Sequence, residues 1–450
     1  MKHILLNITK SYECDVLVIG GGTAGFPAAI NAARNGANVI LAEKNGYLGG
    51  TATAGLIGTF MTCYDAKGEK RLINGFYAEF VNEMVKKSGA IPPEKTLTVG
   101  KYGGYRFKGH FGVVPYEIEV FKTVSEKMCL DSGVKLLYHM LFVHCEKTDS
   151  KITKAYFATN NGIYEISAKV FIDASGDAYL CDKAGFKSEI GDENGEKQPA
   201  STFFTIKGVD EEMLDTHMEN TTEMRSRFFM DEIKKAQETG EYPCGTLKLR
   251  IFKSPSEKWY VNMGQEDEPV NQFDAEDVTN AEISQRKQIN VMIDFLRKYI
   301  PACRNIELVE TAAEIGIREG RRVLGEYTLK KDDILSGRVF EDTICYCANS
   351  IDIHKKNNIK YVPTKDDVIY TIPYRSLVVK ECDNVLVAGR CLSAEREAMA
   401  AVRVMSPCVA MGEAAGIAAS IAARKNIPAR DVNYNELKEK LLNNGAYLGD

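Results

Sequence analysis

Three glycines near the amino terminus have the spacing of a turn that binds phosphate. Gly20, Gly22 and Gly25 form a Gly-x-Gly-x-x-Gly motif. An apolar run at residues 15–19 precedes it, and a helical pattern at 26–35 follows it. The first glycine allows a sharp turn, the second lets phosphate approach the backbone, and the third lets helix and strand pack closely. Because the helix N-terminus adds free N–H groups and partial positive charge, the motif predicts a diphosphate site.

An acidic residue completes this unit. A second apolar run at residues 38–42 ends at Glu43, the position from which such units hydrogen-bond ribose hydroxyls. A carboxylate there repels a 2′-phosphate, which disfavours NADP. A glycine motif alone is weak evidence, but strand, turn, helix, strand and acid occur here in order within about 30 residues. The sequence therefore predicts a dinucleotide site rather than a purely structural turn.

The choice between FAD and NAD depends on the segments further along the chain. Residues 44–55 are rich in glycine and threonine, which lets the backbone come close to a bound flat or phosphorylated group. A later apolar run at 384–388 ends at Gly389, and residues 406–407 open a long helix of small residues. Flavin is larger than nicotinamide and draws on separated segments, so these features favour FAD. A second Gly-x-Gly-x-x-Gly motif does not occur, so no dedicated NAD(P)H domain is expected.

The pattern of strands and helices predicts an α/β fold: a Rossmann-like FAD-binding domain with three layers and a mostly parallel sheet. A small antiparallel sheet is expected from segments at 141–145, 154–159 and 163–166, and a more polar stretch from about 200 to 310 predicts an inserted α+β substrate domain. The expected units are a discontinuous FAD-binding domain at 10–60, 112–200 and 311–425, a substrate or cap region at 61–111 and 201–310, and a C-terminal helical tail at 426–450.

Composition excludes several classes of function. The net charge of −5 gives no electrostatic case for binding nucleic acid, and no apolar run in the sequence predicts a membrane span. We expect a cytoplasmic protein. The twelve cysteines are scattered and include no Cys-x-x-Cys pair, so reduced thiols are expected rather than a zinc site or a redox-active disulfide.

Further motifs make the chain resemble the family of FAD-dependent oxidoreductases known as FAD_oxidored, which has the glutathione-reductase-type FAD fold. Besides the first unit, the resemblance rests on a Gly-Ile-Arg-Glu-x-Arg-Arg motif at 316–322, an Ile-Asp-x-His element at 351–354, and segments at 172–177, 372–377, 384–390 and 401–405. It covers most of the chain apart from roughly 200–310. The resemblance implies the fold and the cofactor, and says little about the substrate.

The resemblance also implies where FAD binds. The helix beginning near Pro407 is expected to direct its N-terminus at the flavin N1/C2 carbonyl, where its dipole stabilises negative charge. Ser175 stands where the family usually has threonine. The expected FAD site comprises Gly20, Gly22, Thr23, Ala24, Gly25, Glu43, Lys44, Gly49, Gly50, Thr51, Ala52, Val143, Ala174, Ser175, Gly176, Asp177, Gly389, Arg390, Arg403, Pro407, Val409 and Ala410.

Candidate catalytic residues are His354, Tyr374 and Arg375. Histidine handles protons near neutral pH, and arginine clamps a carboxylate; an ordinary buried histidine and a structural ion pair are the alternatives. The arginines of the 316–322 motif are expected on a helix, paired with neighbouring glutamates. Residues 102–110, with two tyrosines and a histidine, are a weaker candidate for a substrate loop.

Together these features predict an FAD-dependent oxidoreductase that transfers a hydride between flavin and a small polar organic substrate. Two alternatives keep the fold: a flavin monooxygenase, and an electron-transfer subunit that works with an iron–sulfur partner. A non-catalytic nucleotide-binding module is a third alternative. No metal site is expected, and a homo-oligomer is left open.

Overall fold

The computed structural model describes residues 7–61, 63–97, 111–220, 230–242, 251–262, 264–266, 268–355, 358–362 and 368–449. Its helices are α1 (Gly25–Arg34), α2 (Phe76–Lys86), α3 (Ile118–Asp131), α4 (Tyr179–Lys183), α5 (Glu211–Asn220), α6 (Met230–Glu238), α7 (Ala275–Tyr299), α8 (Lys331–Ser336), α9 (Arg396–Val402), α10 (Met405–Lys425) and α11 (Tyr434–Asn443). Its strands are β1 (Ile8–Ile19), β2 (Val39–Ala42), β3 (Thr59–Phe60), β4 (Val114–Pro115), β5 (Lys135–Leu137), β6 (Leu141–Thr148), β7 (Lys151–Thr159), β8 (Gly162–Asp173), β9 (Ser188–Glu189), β10 (Phe204–Lys207), β11 (Ile251–Lys253), β12 (Trp259–Val261), β13 (Glu307–Thr311), β14 (Arg322–Val323), β15 (Thr343–Cys347), β16 (Ile351–Lys355), β17 (Asn358–Val362), β18 (Tyr370–Pro373) and β19 (Val385–Val387).

A central sheet carries the first unit, and its parallel part runs in the order β5-β2-β1-β8-β19. The apolar ends of β1, β2 and β8 are buried, as expected for strands covered on both faces. This confirms the predicted α/β fold with a mostly parallel sheet. β1 begins earlier than the apolar run because its polar first half pairs with the first half of β8, through backbone bonds that need no apolar pattern.

The hairpin of β6 and β7 belongs to the same sheet, which corrects the expectation of a separate small antiparallel sheet. β7 pairs antiparallel with residues 162–167 of β8, whereas residues 171–173 of β8 pair parallel with β19. One long strand therefore serves both arrangements. The sequence showed two segments at 163–166 and 169–173, but nothing in their pattern shows that they form one strand.

Helices α1 and α10 approach each other closely through glycines. A Cβ at Gly412 would lie 2.1 Å from the carbonyl oxygen of Ala24, and one at Gly416 would lie 2.2 Å from that of Ala28. α10 also has the length and apolar composition of a membrane span, and its most apolar stretch is 100% buried inside the protein. α10 is therefore packed as a core helix of this protein.

The stretch from about 200 to 310 has its own sheet and core. β11, β12, β10 and β13 form a four-stranded antiparallel sheet beside α7. A separate hydrophobic cluster fills the space between them and includes Ile206, Trp259, Met292 and Leu296. This arrangement fits an inserted α+β unit, and the domain boundaries stay a prediction.

Residues 312–321 are not helical, which corrects the prediction for the arginine motif. The segment crosses the molecule as irregular chain and reaches β14. Gly320 packs so closely that a Cβ would lie 2.4 Å from the Asp177 carboxylate, and Gly316 pairs with Ser201. The charged side chains bind distant residues instead of each other, so spacing within the motif did not show its structure.

Candidate functional site

The glycine turn has the geometry that its spacing predicts. Gly20 has a φ of +93°, a conformation that favours glycine. A Cβ at Gly25 would lie 1.7 Å from the carbonyl oxygen of Gly20, so only glycine permits α1 to begin there. A Cβ added at Gly22, by contrast, would have its nearest neighbouring atom 3.9 Å away. The turn therefore leaves open space at the one glycine where phosphate is expected to approach.

Glu43 lies against this turn at the end of β2. One carboxylate oxygen accepts the backbone N–H of Gly21 at 2.6 Å, and the other accepts that of Asn45 at 2.9 Å. The side chain is buried, and burial raises the pKa of Glu43. The next residue, Lys44, forms an ion pair with Glu314 at 2.9 Å. Glu43 is thus held beside the turn, as the ribose prediction requires.

The second glycine-rich segment also lies beside the turn. Gly49 donates its N–H to the carbonyl oxygen of Gly21 at 2.8 Å, and both Gly49 and Gly50 have positive φ. Residues 50–52 form a short 3₁₀ turn that includes Thr51 and Ala52. The structure therefore brings the first and second predicted FAD segments together through backbone contacts.

The later segments reach the same turn from the other side. A Cβ at Gly20 would lie 2.7 Å from the carbonyl oxygen of Ala174 and 2.9 Å from the Cα of Ser175. At Gly389, where φ is +81°, a Cβ would lie 3.2 Å from that of Ala24. Thus the ends of β8 and β19 both meet the loop that contains Thr23.

Arg390 joins these segments to the arginine motif. Its Nε donates to the carbonyl oxygen of Gly176 at 2.8 Å, and its guanidinium pairs with Asp177 at 3.1 Å and also donates to Ile317. Val143 lies on β6, three residues after Met140, whose N–H donates to the carbonyl oxygen of Glu43 at 2.9 Å. The segments that contain Gly20, Glu43, Gly49, Gly176 and Gly389 therefore meet around the turn, and FAD binding by the individual residues stays a prediction.

The amino end of α10 borders this surface. The helix begins at Met405, and Pro407, Val409 and Ala410 are buried in its first turns. Cys408, in the same turn, would be 3.9 Å from a Cβ at Gly389. A helix of 21 residues directs its first N–H groups and its dipole at this place.

A second cluster lies next to the start of α10 and is built from side chains. Arg403 donates to the carbonyl oxygens of Arg318 and Asp352, both at 3.1 Å, and to the amide oxygen of Gln198 at 3.2 Å. The same Gln198 oxygen accepts the backbone N–H of His354 at 2.9 Å. Arg403 lies at the end of α9, two residues before α10, and therefore connects the start of α10 to β16.

His354 is held neutral in this cluster. Its Nε2 lies 3.2 Å from an Asp352 carboxylate oxygen, and the residue is buried. Burial, reinforced by the positive charge of Arg318, lowers the pKa of His354 to about 3, although Asp352 acts in the opposite direction. The imidazole is thus uncharged at neutral pH.

Sequence reasoning missed the residues that hold this cluster together. Gln198 donates from its backbone and its amide to the two oxygens of Glu319, at 2.7 and 2.9 Å. Glu319 also pairs with Arg396 at 2.6 Å, and Arg396 in turn pairs with Asp192 at 3.0 Å. The glutamate lay in a recognised motif, but no local pattern marks Gln198, whose partners are distant in the sequence.

The other two candidate catalytic residues have structural partners. The buried Tyr374 hydroxyl donates to the carbonyl oxygen of Ala429 at 2.7 Å. Arg375 is exposed, and two of its nitrogens bind the Asp342 carboxylate at 3.0 and 3.1 Å. For Arg375 the geometry favours the structural ion pair, and a catalytic role for either residue stays an untested prediction. The predicted loop at 102–110 lies outside the described residues.

The described cysteines are free and buried. Two of them, Cys345 and Cys347, bring their Sγ atoms within 3.7 Å on β15. Burial raises the pKa of Cys347 well above its usual value, which opposes thiolate formation.

These residues fit a flavin dinucleotide: a glycine cradle, a carboxylate at the end of the second strand, and a helix N-terminus on the far side. The fold and the site define an oxidoreductase of the Rossmann-like FAD-binding class. The chain belongs to the FAD dependent oxidoreductase family, whose pattern it matches over residues 15–441. It is therefore an FAD-dependent enzyme.

Curated relatives share parts of the chain. A 4-oxocyclohex-2-ene-1-carboxylate 5-dehydrogenase from Sinomonas cyclohexanicum is 57% identical over 51 residues, which is 11% of this chain and 8% of that protein. A digeranylgeranylglycerophospholipid reductase from Methanococcus vannielii is 30% identical over 189 residues, covering 40% of this chain and 43% of that protein. The chain thus spans less than half of the length of these relatives.

Among solved structures, a p-nitrophenol 4-monooxygenase from Pseudomonas putida superposes with a TM-score of 0.51 at 10% identity. The match covers 98% of this chain and 91% of the monooxygenase. At that identity the likeness concerns the fold alone.

Proposed function

We propose that this enzyme transfers a hydride between bound FAD and a small polar organic substrate at the face formed by His354, Gln198 and Arg403. The observation that carries the proposal is the position of the Arg403 side chain. It lies two residues before α10 and binds the backbone of β16, so the histidine cluster stands directly beside the predicted flavin position. FAD supplies the hydride chemistry when bound, and the protein supplies orientation and proton transfer.

The glycine turn and the segments around it hold the cofactor in this proposal. Backbone N–H groups at the start of α1 receive the diphosphate beside Gly22, and Glu43 receives the ribose. The first turn of α10 directs its dipole at the flavin ring and favours negative charge there. The second glycine-rich segment, the ends of β8 and β19, and the start of α10 supply the remaining contacts.

His354 moves the proton in this proposal. Because a carboxylate only accepts hydrogen bonds, the contact with Asp352 places the ring proton on Nε2. Nδ1 then presents a lone pair that accepts a hydrogen bond from the substrate. Because the pKa of His354 is low, the ring takes the substrate proton only as the hydride leaves. Asp352 fixes the tautomer, and the Gln198 amide fixes the backbone of the histidine.

A stopped-flow experiment tests this role. Anaerobic holoenzyme is mixed with small alcohols, amines and hydroxy acids, and flavin bleaching identifies a reducing substrate. We expect His354→Asn to retain FAD but to slow flavin reduction by about 10²- to 10⁴-fold, as loss of a general base does.

Tyr374→Phe is the matched comparison, because that hydroxyl binds the Ala429 carbonyl. It should reduce flavin at the wild-type rate. An unchanged rate in the histidine variant would refute the role of His354. A rapid reaction of the reduced enzyme with oxygen that transfers an oxygen atom to the substrate would favour the monooxygenase alternative.

A further inference from the structure

Arginines surround the proposed flavin face, and most of them have carboxylate partners. Arg390 pairs with Asp177, Arg396 with Glu319, and Arg321 with Asp182. Arg403 differs. Its acceptors in the described part of the chain are two backbone carbonyls and one amide, all neutral.

In the described part of the chain no carboxylate accepts a hydrogen bond from Arg403, and the carboxylates of Asp352 and Glu319 act on its charge through space. The Nε of Arg403 is shielded from water and has no acceptor among the described atoms. The nearest carboxylate on β16, that of Asp352, is bound to the His354 ring. Burying a charge without a directly bonded counter-charge is costly, so such a site favours a bound anion.

Arg318 presents a second guanidinium to the same place. The residue is partly exposed, and its NH2 group donates to the Ser201 hydroxyl at 2.8 Å, while NH1 donates to the carbonyl oxygen of Pro199. Its own backbone carbonyl accepts Arg403. Both positive charges act on His354, so the two guanidinium groups lie near the same histidine, and a planar guanidinium fork matches a carboxylate.

We propose that Arg318 and Arg403 bind a carboxylate of the substrate, so that the substrate class is a small organic acid. This inference rests on the proposed function. It assigns to the cluster beside α10 the carboxylate-binding role that the sequence suggested for Arg375, whose guanidinium is already neutralised by Asp342.

Binding to the oxidised holoenzyme tests the assignment without turnover. Acetate, benzoate and succinate are titrated against acetamide, benzamide and succinamide at constant ionic strength, with the flavin absorption spectrum as the signal. We expect the carboxylates to perturb the spectrum saturably and the amides to have no effect.

Substitutions locate the site. Arg318→Met and Arg403→Lys should each weaken carboxylate binding by about 30-fold or more, since a desolvated charge contact is lost. Arg375→Met should bind as the wild type does, and Arg34→Met, which removes an arginine from a surface pair with Glu79, controls for net charge.

Several outcomes would overturn the inference: equal binding of acids and amides, wild-type affinity in both cluster variants, or a loss confined to Arg375→Met. A shift in the flavin midpoint potential with unchanged carboxylate affinity would also overturn it, because the arginines would then serve the flavin itself. The proposed hydride transfer stands or fails separately, on the rate of flavin reduction in His354→Asn.

Discussion

The glycine turn and the histidine cluster both present groups that attract negative charge, but the turn uses backbone groups and the cluster uses side chains. The turn offers backbone N–H groups and a helix dipole, which do not titrate. Its shape depends on glycines, because a Cβ added at Gly20 or Gly25 would lie only 1.7–2.7 Å from other atoms. The cluster offers guanidinium, imidazole and amide groups, and the charge of the imidazole depends on its neighbours. Backbone sites are therefore sensitive to added volume, and side-chain sites to a lost hydrogen bond.

The largest expected effect is on the turn. Gly25→Ala places a Cβ against the Gly20 carbonyl, so it should lower the free energy of unfolding by at least about 3 kcal/mol and abolish FAD retention. Denaturant unfolding and flavin content measure both effects.

Gly36→Ala is the matched control for this change. Gly36 has a φ of +89° and nothing within 4 Å of a Cβ. Gly36→Ala should lower the free energy of unfolding by about 1–2 kcal/mol, from left-handed backbone strain alone, and should leave FAD bound. Similar losses in the two variants would show that close packing is not what makes the turn sensitive.

The next effect is on the cluster. Gln198→Leu removes the amide that binds Glu319, Arg403 and the backbone of His354. Because buried polar groups lose their partners, we expect a loss of about 2–4 kcal/mol in the free energy of unfolding. Flavin should remain bound while its reduction slows.

Gln288→Leu provides the comparison, since its amide makes only long contacts of 3.4 and 3.5 Å. It should change stability by less than about 1 kcal/mol. If the Gln198 variant lost flavin as completely as Gly25→Ala, the two sites would not be separable.

The smallest effect concerns a titrating group within the frame, Glu413 on α10. Its carboxylate accepts the N–H of Phe76 and the amide of Asn444, at 3.1 and 2.9 Å. Burial raises the pKa of Glu413 to about 7. The folded protein therefore binds this proton more tightly than the unfolded chain, and stability falls as pH rises from 4.5 through about 7.

Unfolding titrations across this window should show a loss of up to about 3 kcal/mol in the wild type that is absent in Glu413→Gln. Glu436→Gln is the control, since that partly exposed carboxylate pairs with Lys425 and its pKa is lowered. A parallel pH dependence in the wild type and Glu413→Gln would refute the assignment to Glu413.

The amino-acid sequence by itself determined the fold class, because the first unit depends on local spacing, and it indicated the cofactor and the family through the resemblance of its motifs. A strand, a glycine turn and a helix follow one another within residues 15–35. Glycine is required in the turn because a side chain would block the tight turn and the close packing of helix and strand. The long helix expected to open at residues 406–407 is α10, which begins at Met405, and its run of small residues is also a local pattern.

Only the tertiary structure decided which arginines have carboxylate partners. Arg375 and Arg403 both lie in recognised motifs, yet one pairs with Asp342 at the surface and the other stands beside His354. Gln198 carries no local signal at all. Charge balance is set by partners more than a hundred residues apart, such as Arg396 and Asp192, and the spacing along the chain does not encode them.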